Sequence, residues 1–450
     1  MIVSPAFAGK RYAVLGLARS GLAAVEALLA SGARVTAWDS RDEPRRLVAD
    51  RVELGDPAGI DLTGFDGVVV SPGVPLNNHP VAANAARHGV PVIGDIELFA
   101  LARPSLPAHR VVGITGTNGK STTTALVHHL LAAAGIPARM GGNIGLPILS
   151  QRPLAANANG PGVYVLELSS YQIDLTQSLD CDVAALLNVS PDHLDRYADF
   201  SAYVHSKARL FTLQSPGHDA VFAPADPNVR ALAEREILRR GEDTVHLAHV
   251  ERFAPLQAGW PSLQGPHNLE NVAVSVAIVQ ALGVGRDSWE PALATYRGLP
   301  HRMERVTEAN GVLFVNDSKA TNPASAAPAL AAFPPAPAPR IHWIVGGLPK
   351  GEGLDECARW FGNVAAAYTI GDAGPRFADL LAPHMTVRRS EMLADAVRQA
   401  IEAARPGDVV LLSPACASFD QFRDYEARGD AFRAIVRCLT EPASVQAAGL

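Results

Sequence analysis

The run Gly116-Thr117-Asn118-Gly119-Lys120-Ser121-Thr122 carries glycines, a lysine and hydroxyls in the order a bound phosphate requires. VVGITG before it reads as a strand, TNGK as a tight turn and STTTALVHHLL as a helix. A strand, a Gly-rich turn and a helix N-terminus aim backbone N–H groups at one point, which favours an anion there. Lys120 adds a full charge, and the Ser121 hydroxyl stands where such loops meet Mg²⁺. The common GxxxxGK[ST] spacing is not met, because Ile114 lies six residues before Lys120; the turn is shorter. The chemistry implied is ATP or GTP binding.

A metal at a triphosphate wants oxygen ligands from neighbouring strand ends. GVYVLELSSYQ supplies Glu167 at the close of an apolar run, and DVAALLNVS leads into a loop with Asp192, His193, Asp195 and Arg196. These positions follow successive strands at the end where open α/β sheets bind ligands, which makes Glu167 and His193 candidate functional groups. Nearer the N-terminus, Gly16-Leu17-Ala18-Arg19-Ser20-Gly21 has Ala18 where a dinucleotide fingerprint needs its second glycine. Asp39 closes the second strand and could take a ribose hydroxyl, so a nucleotide-like ligand other than NAD is expected there.

These groups must be positioned by an alternating set of elements. RYAVLG, ARVTAWD, DGVVVSPG, HRVVGITG, GVYVLEL, DVAALLNVS, GVLFVND, RIHWIVGG and GDVVLLSP read as buried parallel strands. ARSGLAAVEALLASG and KSTTTALVHHLLAAAG read as helices that close on glycine. The architecture is α/β throughout, in three blocks assigned to residues 1–105, 106–304 and 305–450. LARPSLPAH marks the first boundary, and AAFPPAPAPR inside the third block reads as a stiff, extended connection.

Composition narrows the function. The 450 residues exceed one ordinary core, 48% of them are hydrophobic and 19% charged, as in globular proteins. A net charge of −6 without clustered Lys or Arg argues against nucleic-acid binding. No apolar run is long enough for a membrane span, and the N-terminus does not read as a secretory signal. The four cysteines, Cys181, Cys357, Cys416 and Cys438, lack CxxC spacing, which disfavours a zinc site or disulfide framework and fits a cytoplasmic protein.

The segments GTNGKST, GGNIG, LELSSYQ, NVSPDHLDRY, HSKARLF, GPHNLENV, GLPHRMERV, NDSKATNP and LLSPACASFDQF occur in that order, and together the chain resembles the Mur ligases of peptidoglycan synthesis. The likeness runs from Gly16 to Gly429, and GDIELF, NDSKATN and SPACASFDQF point to the branch that adds D-glutamate. It implies a Rossmann-like N-terminal domain for a UDP sugar, a central P-loop ATPase domain and a Rossmann-like C-terminal domain for the amino acid. The implied substrates are ATP with Mg²⁺, UDP-N-acetylmuramoyl-L-alanine and D-glutamate, acted on by a monomer.

On matching positions, the resemblance implies that Arg19, Ser20, Asp39, Ser40, Arg41 and Gly73 meet the uridine and diphosphate, with Asn143 near substrate and metal. Gly116 through Thr122 would hold the ATP phosphates, Asn268 and Asn271 would bracket the adenine, and Arg302 and Asp317 would reach phosphate and ribose. Ser121, Glu167, His193 and Lys207 would serve the metal, Lys207 as the family's carbamylated lysine. Lys319, Thr321, Ser418 and Tyr425 would form the glutamate pocket, with Lys350 as a further carboxylate contact. Two departures stand out: Leu348-Pro349 precede Lys350 where the family often has an acidic residue, and Tyr425 replaces the more usual Phe while keeping a ring to pack on substrate.

Amide formation needs an activated carboxyl, so the implied route phosphorylates the alanyl carboxylate with ATP before the glutamate amine attacks. Lys120, His193, Lys207 and Lys319 are the expected catalytic groups, His193 being one candidate for the base. Domain closure is expected, because the substrates arrive on three separate blocks. The nearest alternative is another ligase of the same chemistry, such as folylpolyglutamate synthase or a Mur ligase adding alanine or a diamino acid. A regulatory GTPase would need the guanine-reading NKxD run, which the chain lacks.

Overall fold

The nine apolar runs all become strands, distributed over three sheets. The computed structural model describes residues 1–192, 196–349, 351 and 353–440. The first sheet consists of β1 (Arg11–Leu15), β2 (Arg34–Trp38), β3 (Glu53–Leu54), β4 (Gly67–Val70) and β5 (Val92–Ile93). They lie parallel in the order β3-β2-β1-β4-β5. The second sheet holds β6 (His109–Thr115), β7 (Ala138–Gly142), β8 (Gly162–Glu167), β9 (Val183–Leu186), β10 (Asp219–Phe222) and β11 (Val245–Leu247). Its order is β11-β10-β9-β6-β8-β7, again parallel. The third holds β12 (Glu304–Ala309), β13 (Val312–Asn316), β14 (Ile341–Gly346), β15 (Val364–Ile370), β16 (Thr386–Glu391) and β17 (Val409–Leu412). Its order is β12-β13-β17-β14-β15-β16, with only β12 antiparallel.

Each sheet has its functional candidates beside a central strand from which the connections leave in opposite directions. In the second sheet β6 lies between β8 and β9, so the turn after β6 and the ends of β8 and β9 open onto the same crevice. The burial of these strands is complete on both faces: all six residues of β8 and all four of β9 are buried, as expected for parallel strands covered by helices.

Seven helices position the groups discussed below: α1 (Arg19–Ala30), α2 (Asp95–Ala102), α3 (Lys120–Ala133), α4 (Ser170–Asp174), α5 (Phe200–Thr212), α6 (Pro266–Ala281) and α7 (Tyr425–Thr440). In α3, Leu126, Val127, Leu130 and Leu131 are buried at i, i+4 spacing, so packing rather than the β-branched start TTT stabilises the helix.

The chain forms two compact units. Met1–Val250 with Glu270–Ala292 contains the first two sheets, and Glu251–Leu269 with Leu293–Leu450 contains the third. The first two sheets share one apolar core that runs from Val14, Leu28 and Phe99 to Val111, Tyr164 and Leu166. Helix α2, from the GDIELF segment, joins them. Phe99 packs edge-on against Tyr164 at 5.0 Å, and buried Glu97 accepts from the N–H groups of Gln177 (2.7 Å) and Ser178 (2.9 Å) and from the Ser178 hydroxyl (2.6 Å). Among the described residues no helix is long and apolar enough to cross a membrane.

Glu97→Ala removes three hydrogen bonds from a buried carboxylate, although the exposed Gln177 and Ser178 donors can turn to water, so it should lower the unfolding free energy by about 1–2 kcal/mol. A fall in urea midpoint for Ala, with a smaller fall for Glu97→Gln, checks this; an unchanged midpoint contradicts the account.

Candidate active site

The turn after β6 is held from below by the end of β9. Thr117 N–H donates to the carbonyl of Asn188 (2.8 Å), and Asn118 N–H donates to the Asn188 side-chain oxygen (2.8 Å). Gly119 caps α3 with φ +83°. An added Cβ there would lie 2.4 Å from the side-chain oxygen of Asn271, so the position tolerates only glycine. Asn271 in turn accepts from the Thr123 hydroxyl at 3.2 Å. No side-chain cap bonds the first turn of α3, which is the geometry that favours an anion at a helix start.

Two lysines converge on this turn. Lys120 Nζ donates to the carbonyls of Gly116 (2.9 Å) and Thr117 (2.7 Å). Lys207, one of the most buried side chains at 1% exposure, donates to the same Gly116 carbonyl at 2.8 Å. Burial, and then the charge of Lys120, push the Lys207 amine down to about 6. Its other neighbour is the ring of Tyr203, 4.5 Å away, whose hydroxyl lies 3.2 Å from that of Thr117. Burial and the Lys120 charge both favour the uncharged amine of Lys207.

Beside the lysines, Glu167 closes β8 but is not a solvated strand end; it is 2% exposed. Ser121 Oγ donates to it at 2.5 Å and the Asn143 side-chain amide at 3.2 Å. The Asn143 N–H also donates to the Glu167 carbonyl, at 2.8 Å. Among the described residues, the side chains that bond this buried carboxyl group are a hydroxyl and an amide, both neutral. This oxygen set suits Mg²⁺, a hard cation.

In the first sheet, Asp39 directly follows β2 and is buried. Its carboxylate accepts from Leu17 N–H (2.7 Å) and Arg41 N–H (3.0 Å), bracing the turn after β1. Burial by itself would raise its pKa, but the hydrogen bonds from Arg41 and Leu17 outweigh that and hold the carboxyl below its ordinary value. Arg19 donates to the carbonyl of Gly145, while Ser40, Arg41 and Gly73 are exposed at the same end of the sheet. Ser20 lies in the first turn of α1.

In the unit with the third sheet, Asp317, Lys319 and Thr321 follow β13, and Ser418 follows β17. Asp317 accepts from the Ser413 hydroxyl (2.8 Å) and Met303 N–H (3.2 Å) beside Arg302. Burial pushes its carboxyl up to about 7. Lys319 Nζ stands 4.0 Å over the ring of Tyr425, at the start of α7. Asn268 sits on α6 and is buried, its side-chain amide donating to the Gln264 carbonyl at 3.0 Å. His193 and Lys350 lie outside the described residues, and among the described residues no cluster of three acidic, His or Cys side chains forms.

Sequence reasoning overlooked Asn188, Tyr203 and Arg428. Asn188 stood in the quoted NVSPDHLDRY run, directly after a strand, and Tyr203 lies one helical turn before Lys207. Arg428, 1% exposed, donates to the carbonyls of Ser318 (2.9 Å), Cys416 (3.0 Å) and Ala417 (3.1 Å). It ties the loop bearing Lys319 to the one bearing Ser418, and burial lowers its guanidinium to about 10.

Sheet order, phosphate turn and strand-end chemistry together define a multidomain α/β nucleotide-binding protein. The chain belongs to the Mur ligase family. Residues 10–94 match the Mur ligase MurD-like N-terminal domain, 114–279 the Mur ligase middle domain, and 301–416 the Mur ligase glutamate ligase domain. The chain is 67% identical to the UDP-N-acetylmuramoylalanine–D-glutamate ligase of Novosphingobium aromaticivorans, over 98% of this chain and 97% of that one. It is 60% identical to the enzyme of the same name from Sphingopyxis alaskensis, over 98% and 100%. Among solved structures, the UDP-N-acetylmuramate-alanine ligase of Thermotoga maritima shares the fold with a TM-score of 0.57 at 16% identity, covering 96% of this chain and 99% of that one.

The raised carboxyl of Asp317 sets a pH dependence. Between its ordinary value of 3.8 and about 7 the folded chain holds a proton that the unfolded chain has lost, so this group's stabilisation is present below about pH 4 and is lost as pH rises through 7. Asp317→Asn should therefore be more stable than the parent at pH 8, by roughly 4 kcal/mol at most, and equal to it near pH 4. Urea midpoints at the two pH values measure the difference; a gap that is the same at both would contradict it.

Proposed function

We infer that this chain is an ATP-dependent ligase that adds D-glutamate to UDP-N-acetylmuramoyl-L-alanine in peptidoglycan precursor synthesis, working in the cytoplasm. The observation that carries this is the 67% identity, over 98% of the chain, with a relative named for that reaction. The site chemistry accords with it, with the spans 1–105, 106–304 and 305–450 serving the UDP sugar, ATP and the amino acid.

An amide does not form readily between a carboxylate and an ammonium at neutral pH, because the leaving group would be oxide. In the proposed route the alanyl carboxylate oxygen attacks the γ-phosphorus of ATP, breaking its bond to the β–γ bridging oxygen and releasing ADP. The glutamate nitrogen, having lost a proton, then bonds to the acyl carbon, and inorganic phosphate departs with the oxygen that the carboxylate supplied. Carboxylate and triphosphate repel by several kcal/mol at about 4 Å, taking an effective dielectric near 20. Lys120 and the N–H groups at the start of α3 offset that repulsion. Ser121 and Glu167, with His193, would hold Mg²⁺, whose charge would further neutralise the phosphate oxygens when bound.

Lys207 has the properties of a lysine that takes up carbon dioxide. It is buried, and its lowered basicity leaves the nitrogen lone pair available for attack on the carbon. Bond formation between the nitrogen and the carbon of carbon dioxide, with loss of one amine proton to solvent, would give a carbamate anion near the Lys120 charge. Asn268, Asn271, Arg302 and Asp317 are assigned to the nucleotide. Arg19, Ser20, Asp39, Ser40, Arg41, Gly73 and Asn143 are assigned to the UDP sugar. Lys319, Thr321, Lys350, Ser418 and Tyr425 are assigned to glutamate. Asp39 would act partly by holding the turn after β1, since its carboxylate already accepts three donors.

Phosphate release should require ATP, UDP-N-acetylmuramoyl-L-alanine and D-glutamate together, with L-glutamate or alanine inactive in place of the D-isomer. Release that is indifferent to the amino acid would sink the assignment. Lys120→Ala should reduce turnover at least about 100-fold while leaving UDP-sugar affinity within about twofold. Lys207→Ala should be similarly impaired but partly restored by short carboxylic acids; full activity without them would rule out the carbamate.

A further inference from the structure

His301 precedes Arg302 and connects to the proposed glutamate pocket by two independent contacts. Its carbonyl accepts from Lys319 N–H at 3.0 Å, and its ring lies edge to face against Tyr425, with centroids 6.2 Å apart and planes at 79°. The other face of the arrangement is the Lys319 ammonium, 4.0 Å from the centroid of the Tyr425 ring. Lysine, tyrosine and histidine thus form one packed series, and the histidine is its buried end, with 7% side-chain exposure.

The histidine is itself held tightly. Its backbone has φ +63°, a conformation uncommon outside glycine, and its N–H donates to Glu304 Oε2 at 2.8 Å. The side-chain amide of Asn316 lies 3.1 Å from Nδ1 and also within reach of Glu304 Oε2 (2.9 Å) and the Gly429 carbonyl (3.1 Å). An amide donor facing Nδ1 leaves the ring proton on Nε2, which lies 3.7 Å from Asp430 Oδ1. Helix α7 passes so close that a Cβ at Gly429 would come within 2.1 Å of Nδ1. The ring therefore has one place to be, and Tyr425 packs against it.

We propose that His301 is a positioning residue for amino-acid recognition, setting the ring of Tyr425 and the backbone of Lys319 so that the pocket is formed before glutamate arrives. This rests on the assignment of Lys319 and Tyr425 to glutamate. An edge-to-face aromatic pair contributes about the energy of a three- to tenfold change in affinity, so its loss should be read mainly in the Michaelis constant for glutamate.

Two variants disturb the ring by different routes. His301→Asn keeps a residue tolerant of the left-handed backbone and a polar partner for Asn316, but removes the ring. Gly429→Ala keeps the ring and forces it aside, at a cost in packing that the better helix propensity of alanine offsets only in part. Each should raise KM for D-glutamate about tenfold, with kcat and the KM values for ATP and UDP sugar within about twofold of the parent. The double variant should be no worse than His301→Asn alone, because the methyl then has no ring to displace. Lys319→Ala tests the pocket itself: an unchanged glutamate KM there removes the assignment on which the proposal rests. If Lys319→Ala raises that KM and the other two variants do not, or if they raise all three KM values equally, His301 has only a structural role and the proposal fails. Should His301→Asn not fold, Gly429→Ala decides the matter.

Discussion

Two amines share one backbone carbonyl, and the geometry of the phosphate turn depends on that arrangement. Lys120 and Lys207 both donate to the oxygen of Gly116. Burial of Lys207, and then the charge of half-buried Lys120, lower the basicity of Lys207, which limits repulsion between two ammonium groups at one oxygen. The consequence is chemical as well as electrostatic, because an uncharged amine is a nucleophile and an ammonium is not. Asn188 below the turn and Tyr203 beside it keep the shared carbonyl in place. The phosphate turn is thus a rigid receptor whose charge is completed by what it binds.

The same device recurs at the third sheet with different chemistry. There too the functional groups follow central parallel strands, β13 and β17, whose ends lie side by side. Here it is a buried cation that organises backbone carbonyls: Arg428 gathers those of Ser318, Cys416 and Ala417 and so joins two pocket loops. Its charge is desolvated, but every bond it makes is charge-assisted, which offsets the cost. The protein thus places cations at strand ends both to bind anions and to fix loop shape.

The repertoire of strands was legible where the strands are central and apolar on both faces, as in GVYVLEL and GDVVLLSP. It was not legible at the edges. β16, Thr386–Glu391, is largely exposed and carries two arginines, and β12, Glu304–Ala309, is polar at four of its six positions; neither has the apolar run that marks a covered strand. Helix α2 shows another limit. Its GDIELF segment reads locally as an apolar helix start, yet its role in joining two sheets comes from Glu97 meeting residues 177 and 178, some eighty positions away.

Sequence alone determined the α/β class, the phosphate turn and the list of candidate groups, because glycine, lysine and hydroxyl spacing and strand periodicity are local properties. Tertiary structure decided what state those groups are in. Glu167 could have been a solvated strand end, and only the packing of Ser121 and Asn143 against it makes it a buried carboxylate. Lys207 reads as an ordinary helical lysine until the chain brings it to Gly116, ninety-one residues earlier. Asp39 closes a strand in the sequence, and only the fold shows that its oxygens also brace the turn after β1. Desolvation and the filling of hydrogen-bonding capacity are set by neighbours distant in the chain, so no local pattern could have specified them.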